Sequence, residues 1–324
     1  MLFSQLGNSN LTISKIILGT WAFGGDKIWW GGQSDQDSEA VMEFCIEHGI
    51  NTFDTAPIYG KGRSESVIGN YLKKKRNRDK VILATKCGLS WDKKKVWHDL
   101  SDTTILKEFD ESRKRLQTDV IDLYQIHFPD KNQPIEKVAN TLRKLWEKKL
   151  IRAIGVSNFS IKEMTQFLKE APIHSLQSVY NLFARHIEKK ILPFCQKHNI
   201  AILPYSPLQQ GILTGKYHLK NQRPKGIRRR TNPDLNKPRF EITKKALMQL
   251  NFLSESIGLT VSQLSLNWLI QQEGVTSIIV GMRNIIQAKE NIHLCPPFDY
   301  KIIAKINQIL KKRKEQNNVI SKNK

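Results

Sequence analysis

Cysteine is scarce. Four thiols, Cys45, Cys87, Cys195 and Cys295, lie far apart in 324 residues, with no Cys-x-x-Cys pair and no histidine at ligand spacing. That pattern excludes a zinc ribbon and a disulfide framework, and no metal site is expected. Long apolar runs are missing too. Stretches such as residues 200–203 and 277–280 are strand-sized, well short of the roughly 20 residues that cross a bilayer. The first seven residues, Met1 to Gly7, contain no basic segment followed by an apolar one, so no secretion signal or membrane association is expected and the chain is placed in the cytoplasm. No Gly-x-Gly-x-x-Gly fingerprint occurs, which removes a Rossmann-type dinucleotide site. Acidic residues are outnumbered, 30 against 52 Lys and Arg, giving a net charge of +22. Such an excess attracts polyanions. The basic runs 73–76, 93–95 and 311–314 fall between or after apolar segments, with no aromatic-interleaved basic motif or zinc finger, so they read as solvated surface and no specific nucleic-acid partner is expected.

What is present is an ordinary globular composition, 40% hydrophobic, 8% aromatic and 25% charged, arranged as short aliphatic runs alternating with amphipathic stretches. Strands are expected at 16–18, 51–54, 81–86, 121–127, 151–157, 175–180, 200–205 and 276–280. Eight parallel strands with intervening helices close into a barrel, which removes both sheet edges. The expected fold class is therefore α/β, a (β/α)8 TIM barrel forming a single domain over residues 1–324. Residues 3–8 and 11–13 read as a hairpin closing the barrel floor. Between the strands, Ile135, Val138, Ala139, Leu142, Leu145 and Trp146 make one apolar helical stripe. A helix over 36–48 ends before Gly49, and Ser64 and Ser160 stand where N-caps are expected. Two stretches escape the repeat: 216–240, a Pro-, Gly- and Arg-rich loop, and 300–324, a final helix expected to fray into a basic tail.

Functional groups of such barrels lie at the C-terminal strand ends. There the second expected strand ends in Asp54 with Tyr59 in its loop, the third in Lys86 and the fourth in His127. A phenol is a poor proton donor or acceptor near neutrality, with a reference pKa of roughly 10, and a neighbouring ammonium draws that value down. Lys86 is placed to supply the charge, Asp54 to keep Lys86 protonated, and His127 to hydrogen-bond a carbonyl oxygen. Singly, each residue is better explained as a salt bridge, a cap or packing. Together at adjacent strand ends they form a site suited to carbonyl reduction, given a hydride source opposite.

The segments Asp54-Thr55-Ala56-Pro57-Ile58-Tyr59-Gly60, Ala84-Thr85-Lys86 and Asp122-Leu123-Tyr124-Gln125-Ile126-His127 resemble the signature segments of the aldo-keto reductase superfamily. The likeness extends to Gly19-Thr20-Trp21, Gly155-Val156-Ser157-Asn158-Phe159, Tyr205-Ser206-Pro207-Leu208 and Glu290-Asn291. Trp30-Gly31-Gly32 and Gly88-Leu89-Ser90-Trp91 look most like a bacterial aldehyde-reductase branch. The resemblance implies an NADPH-dependent oxidoreductase acting on a small carbonyl substrate, with a tetrad of Asp54, Tyr59, Lys86 and His127 and Tyr59 as general acid; the net charge of +22 and the Arg-rich loop extend the expected substrates to anionic or sugar-like compounds. It further implies a cofactor lying across the barrel top. Ser157, Asn158 and Gln177 would take the nicotinamide amide, and Tyr205 would stack on its ring, with Thr20 and Trp21 nearby. Ser206, Leu208, Gly211 and Lys216 would line the pyrophosphate, with one of Arg228, Arg229 and Arg230 closing over it. Gly281, Arg283, Gln287, Glu290 and Asn291 would form the adenosine end. Arg283 suits a 2′-phosphate, although Gly281-Met282 and Gln287 replace the Lys-Ser pair and later Arg of the family's other common pattern. Trp21, Trp30, Trp91 and Phe128 are the expected substrate contacts.

Overall fold

The computed structural model describes residues 1–28, 31–222, 224, 226 and 228–322, with the side chains of residues 228, 229, 321 and 322 outside the description. Hairpin strands β1 (Phe3–Gln5) and β2 (Thr12–Ser14) precede β3 (Ile16–Gly19), β4 (Thr52–Asp54) and β5 (Ile82–Cys87). A second hairpin, β6 (Leu89–Trp91) and β7 (Val96–His98), leads to β8 (Ile121–Ile126), β9 (Ile151–Ser157), β10 (Ser175–Val179), β11 (Ala201–Tyr205) and β12 (Ile278–Gly281). The helices are α1 (Asp35–Glu47), α2 (Arg63–Lys75), α3 (Asp102–Leu116), α4 (Ile135–Glu147), α5 (Ile161–Phe167), α6 (Ile191–Lys197), α7 (Arg239–Glu255), α8 (Val261–Ile270), α9 (Ile285–Asn291) and α10 (Tyr300–Lys322).

Eight strands run parallel in the order β11-β10-β9-β8-β5-β4-β3-β12. An Ile202–Val275 bridge joins the two ends, supported by Thr276 N donating to Ile202 O at 3.0 Å and Ile202 N donating to Thr276 Oγ1 at 3.2 Å. The sheet is thus the expected (β/α)8 barrel. Among the described residues no helix is long and apolar enough to cross a membrane.

Side chains two apart on a strand share a face, and the barrel interior is layered accordingly. Ile17, Ala84, Leu123, Ala153, Ala201, Leu203 and Ile279 form a buried inner cluster, plugged from below by Leu6, Leu11 and Ile13 of the first hairpin region. Two residues further along those strands the interior changes character, presenting Gly19, Lys86, Gln125, Gly155, Tyr205 and Gly281. A polar layer therefore sits directly on an apolar one. Gly155 is what admits it: a Cβ there would stand 2.6 Å from Gln125 Cγ and 2.7 Å from Ser175 Oγ.

Outside the sheet, α4 buries Val138, Ala139, Leu142 and Leu145, each larger side chain contributing about 1.5–3 kcal/mol. Ser160 and Glu163 complete a capping box on α5. Ser64 behaves differently from expectation. The helix starts two residues earlier with Gly62 as its N-cap, and the buried Ser64 hydroxyl instead donates to Thr20 O at 3.0 Å. Burial makes a tertiary partner more valuable there than an orphan helix N–H that water can reach.

The expected final helix is present as α10, which runs through Lys322. Arg313 explains its order: 9% exposed, it donates from Nη2 to Asp234 Oδ1 at 2.8 Å and lies over the Phe183 ring at 3.8 Å. Asp234 belongs to a short 3₁₀ turn, Pro233–Leu235, so the described part of the 216–240 stretch is tied to the final helix.

Replacing Gly155 by Ala will lower the urea midpoint, by about 1–3 kcal/mol in unfolding free energy with the denaturant slope unchanged. A wild-type midpoint would mean that the interior has room for the added methyl.

Candidate active site

Each tetrad residue owes its position to the barrel. β4 ends at Asp54 and β5 places Lys86 beside it, with Asp54 opposite Ala84 in the register. Lys86 Nζ donates to Asp54 Oδ1 at 2.7 Å, to Thr55 O at 2.8 Å and to the Tyr59 hydroxyl at 3.4 Å. All three ammonium donors are used in a place where Lys86 is 1% exposed. The other Asp54 oxygen accepts from Gln125 Nε2 at 3.2 Å and, more closely, from Gln177 Nε2. His127 stands just past β8, its ring edge-on to Tyr59 with centroids 5.9 Å apart. Trp21 stacks on Tyr59 with ring centroids 6.0 Å apart.

The Tyr59 loop is held by close backbone contact. Gly60 has φ +65°, and a Cβ on it would come within 2.1 Å of Gly24 O, so the loop lies flat on the 3₁₀ turn Trp21–Gly24. Arg63, at the start of α2, bridges the same turn through Phe23 O and pairs with Asp35.

The electrostatics differ from the sequence argument in one sign. Burial pushes the Tyr59 phenol up; the Lys86 ammonium pulls it back and Asp54 adds to the rise, with the net result above the ordinary value. Lys86 lowers the phenol as expected but does not outweigh desolvation. The resting site therefore presents a protonated phenol. Burial works to deprotonate Lys86 itself, yet Asp54 and Tyr59 together hold its pKa above the usual lysine range. His127 is held well below its usual range by burial, then by Lys86 and His98, so it is a neutral imidazole.

Further round the rim, Ser157 ends β9 with Asn158 directly after it, Gln177 lies in β10, Tyr205 ends β11 and Gly281 ends β12, an arc of consecutive strands. In this arc Asn158 Nδ2 donates to His127 O at 3.1 Å and to Ser157 Oγ at 2.9 Å, and Tyr205 OH donates to Asn158 Oδ1 at 2.9 Å. Both ends of the Asn158 amide and the Gln177 amide nitrogen are thus engaged within the protein.

The Aldo/keto reductase family model matches residues 15–311. The chain belongs to that family. It is 39% identical over 284 residues to "Aldo-keto reductase YhdN" of Bacillus subtilis, covering 87% of this chain and 85% of the relative. It is 32% identical over 309 residues to the "NADH-specific methylglyoxal reductase" of Escherichia coli, covering 89% and 91%. The solved structure of the glycerol dehydrogenase AKR11B4 from Gluconobacter oxydans superposes with a TM-score of 0.87 at 36% identity, over 96% of this chain and 95% of that one.

Several residues that the aldo-keto reductase resemblance assigns to a cofactor have other partners here. Thr20 is fully buried, its hydroxyl donating to Asp54 O at 2.9 Å. Glu290 Oε1 accepts from Thr260 Oγ1, the N-cap of α8, at 2.8 Å, and Asn291 is buried. Gln287 Oε1 accepts from the Arg283 amide at 3.0 Å. Ser206 and Gly211 have positive φ, 55° and 89°, in the bend after β11 that also carries Leu208. Lys216 Nζ lies 5.1 Å over the Tyr217 ring. Arg230 Nε donates to Pro224 O at 3.1 Å; Trp30 and the side chains of Arg228 and Arg229 lie outside the described residues.

Phe128 stacks with His127 at 5.3 Å and with His98 at 5.7 Å. The sequence reading passed over His98 because it lies in the second hairpin, where the lysine run at its tip hid the strand pattern. Gln125 and Gln177 as partners of Asp54 were equally hidden, although period-2 alternation from Leu123 and Ser175 points both inward. Trp91, in β6, is half-buried and pairs with Val96.

Glu108 of α3 anchors the root of that hairpin, accepting from Gly88 N at 2.7 Å. Burial pushes its carboxyl up, the Gly88 and Ser90 donors pull it down, and Asp99 and Glu111 push it up again, to about 7. A folded-state pKa above the unfolded value means that the native protein holds a proton the unfolded chain has released. This group's stabilising share is present below about 4.5 and is lost as pH rises to about 7. Glu108→Gln will remove that loss, up to about 3 kcal/mol between pH 4.5 and 7, in denaturant unfolding across the pH range. Parallel wild-type and variant profiles would show that Glu108 carries no such proton.

Proposed function

We propose that the protein reduces aldehyde or ketone carbonyls of small molecules to alcohols with NADPH, with Tyr59 as the general acid. The observation that carries the reading is the Tyr59 hydroxyl 3.4 Å from the Lys86 ammonium, itself pinned to Asp54 at 2.7 Å, at the open end of the barrel. The reduced nicotinamide, when bound, supplies the hydride that the carbonyl carbon accepts. Tyr59 transfers its proton to the carbonyl oxygen, completing the alcohol. Desolvation keeps the phenol protonated until that moment, and the nearby ammonium stabilises the phenolate that the transfer leaves behind. Neutral His127, edge-on to Tyr59, is suited to donate a hydrogen bond to the same oxygen without competing as an acid.

The chain's residues fit a dinucleotide along the rim. Tyr205 offers a half-buried ring beside Asn158, and Ser157, Asn158 and Gln177 carry the donors and acceptors an amide needs, once they exchange their present partners. The backbone bend at Ser206 to Gly211, followed by Lys216, suits a pyrophosphate. Arg283 supplies positive charge for a 2′-phosphate, which favours NADPH although a relative is named as NADH-specific. Relatives named for methylglyoxal and glycerol support small, oxygen-rich substrates, and the excess of basic residues extends this to anionic or sugar-like carbonyl compounds. Trp21 and Phe128 flank the Tyr59–His127 pair and form the substrate walls.

Tyr59→Phe will lower the turnover of aldehyde reduction, followed as loss of reduced-nicotinamide absorbance, by about 10²–10⁴-fold. NADPH binding, followed by protein fluorescence, will be nearly unchanged. Wild-type turnover in this variant would remove Tyr59 from the role.

A further inference from the structure

Gln33 lies in the segment before α1, far in sequence from the last strand, yet its side chain is matched to one residue there. Gln33 Nε2 donates to Arg283 O at 2.9 Å, and Gln33 Oε1 accepts from Arg283 Nε at 3.1 Å. Arg283 Nη2 also donates to Gly32 O. Both ends of one amide therefore grip both the main chain and the guanidinium of Arg283. A flexible arginine loses much of its rotamer freedom in such a hold, and the acceptors provided by Gly32 and Gln33 are uncharged, so they orient the cation without neutralising it.

We propose that Gln33 is a positioning residue for nucleotide choice: by fixing Arg283 at the end of β12, it presets the cation for the 2′-phosphate and so sets the preference for NADPH over NADH. The proposal rests on the adenosine-end reading given above. A carboxylate at position 33 would hold Arg283 equally well but cancel its charge, whereas an aliphatic side chain would keep the charge and remove the part of the hold that Gln33 supplies. Glutamine is the residue that does both jobs. The Gln33 carbonyl accepts from Arg63 Nη2 at 3.4 Å, and any side-chain substitution keeps this tie to the Tyr59 loop. The half-buried setting of Gln33 lets such variants fold.

The test is equilibrium titration of the full-length protein with NADPH and with NADH, read by protein fluorescence, for wild type, Gln33→Glu, Gln33→Leu, Arg283→Gln and the Gln33→Leu/Arg283→Gln double variant. Gln33→Glu is expected to weaken NADPH at least about tenfold, the scale of one lost charge-assisted contact, with NADH little changed. Gln33→Leu is expected to weaken NADPH several-fold and NADH little. The double variant should bind NADPH no more weakly than Arg283→Gln alone, since Gln33 acts through Arg283. If Arg283→Gln erases the NADPH preference while the Gln33 variants keep it, or change both affinities equally, the role of Gln33 is overturned. If Arg283→Gln itself leaves the ratio of affinities intact, the adenosine-end reading falls, and this inference with it.

Discussion

A buried lysine next to a buried aspartate governs how the barrel is built. Lys86 and Asp54 meet at 2.7 Å in the interior, where an unpaired charge costs several kcal/mol. The surrounding structure satisfies both: Thr55 O and the Tyr59 phenol take the remaining ammonium protons, and the amides of Gln125 and Gln177 take the second carboxylate oxygen. These groups come from the loop after β4 and from β8 and β10, so the pair acts as a centre about which β4, β5, β8 and β10 are registered. Below it the barrel is filled with aliphatic side chains; above it lie the rings of Tyr59, His127 and Tyr205. The apolar layer gives rigidity, the polar layer gives position, and the rim gives access.

The same burial that makes the pair demanding also sets its protonation. Desolvation lifts the phenol and depresses the imidazole, leaving a neutral acid and a neutral hydrogen-bond donor around a fixed cation. A phenol acidified in its resting state would lose the proton that reduction requires. In the proposed reaction the phenol keeps that proton until transfer, and the ammonium stands where the phenolate would develop, which would favour the transition state over the ground state.

Around this centre the loops are tied to one another rather than left independent. Gly60 rests on Gly24, Arg63 reaches Phe23 and Gln33, and Gln33 reaches Arg283 across the rim. His98 closes against Phe128 from the second hairpin, whose root Glu108 holds. The final helix fastens the segment after β11 through Arg313 and Asp234. None of these ties follows a local sequence rule, since the partners are separated by tens to hundreds of positions.

The strand periods, the helix stripe of α4 and the Ser160 cap were legible because they depend on neighbours within one or two turns of chain, and period and capping are local physics. The order of Asp54, Tyr59, Lys86 and His127 at successive strand ends was legible for the same reason, together with the family they belong to. The sequence alone could not say that Ser64 would leave its helix end for Thr20, that residues 89–98 would fold into a hairpin despite three consecutive lysines, or that burial would outweigh the ammonium at Tyr59. Those outcomes depend on desolvation and on partners brought together only by closing the barrel. Side-chain type and spacing thus determined which elements form and which chemistry they carry; the surroundings of each group, and with them its charge state and its hydrogen-bond partner, were decided by the tertiary structure, because solvent exclusion is a property of the packed whole.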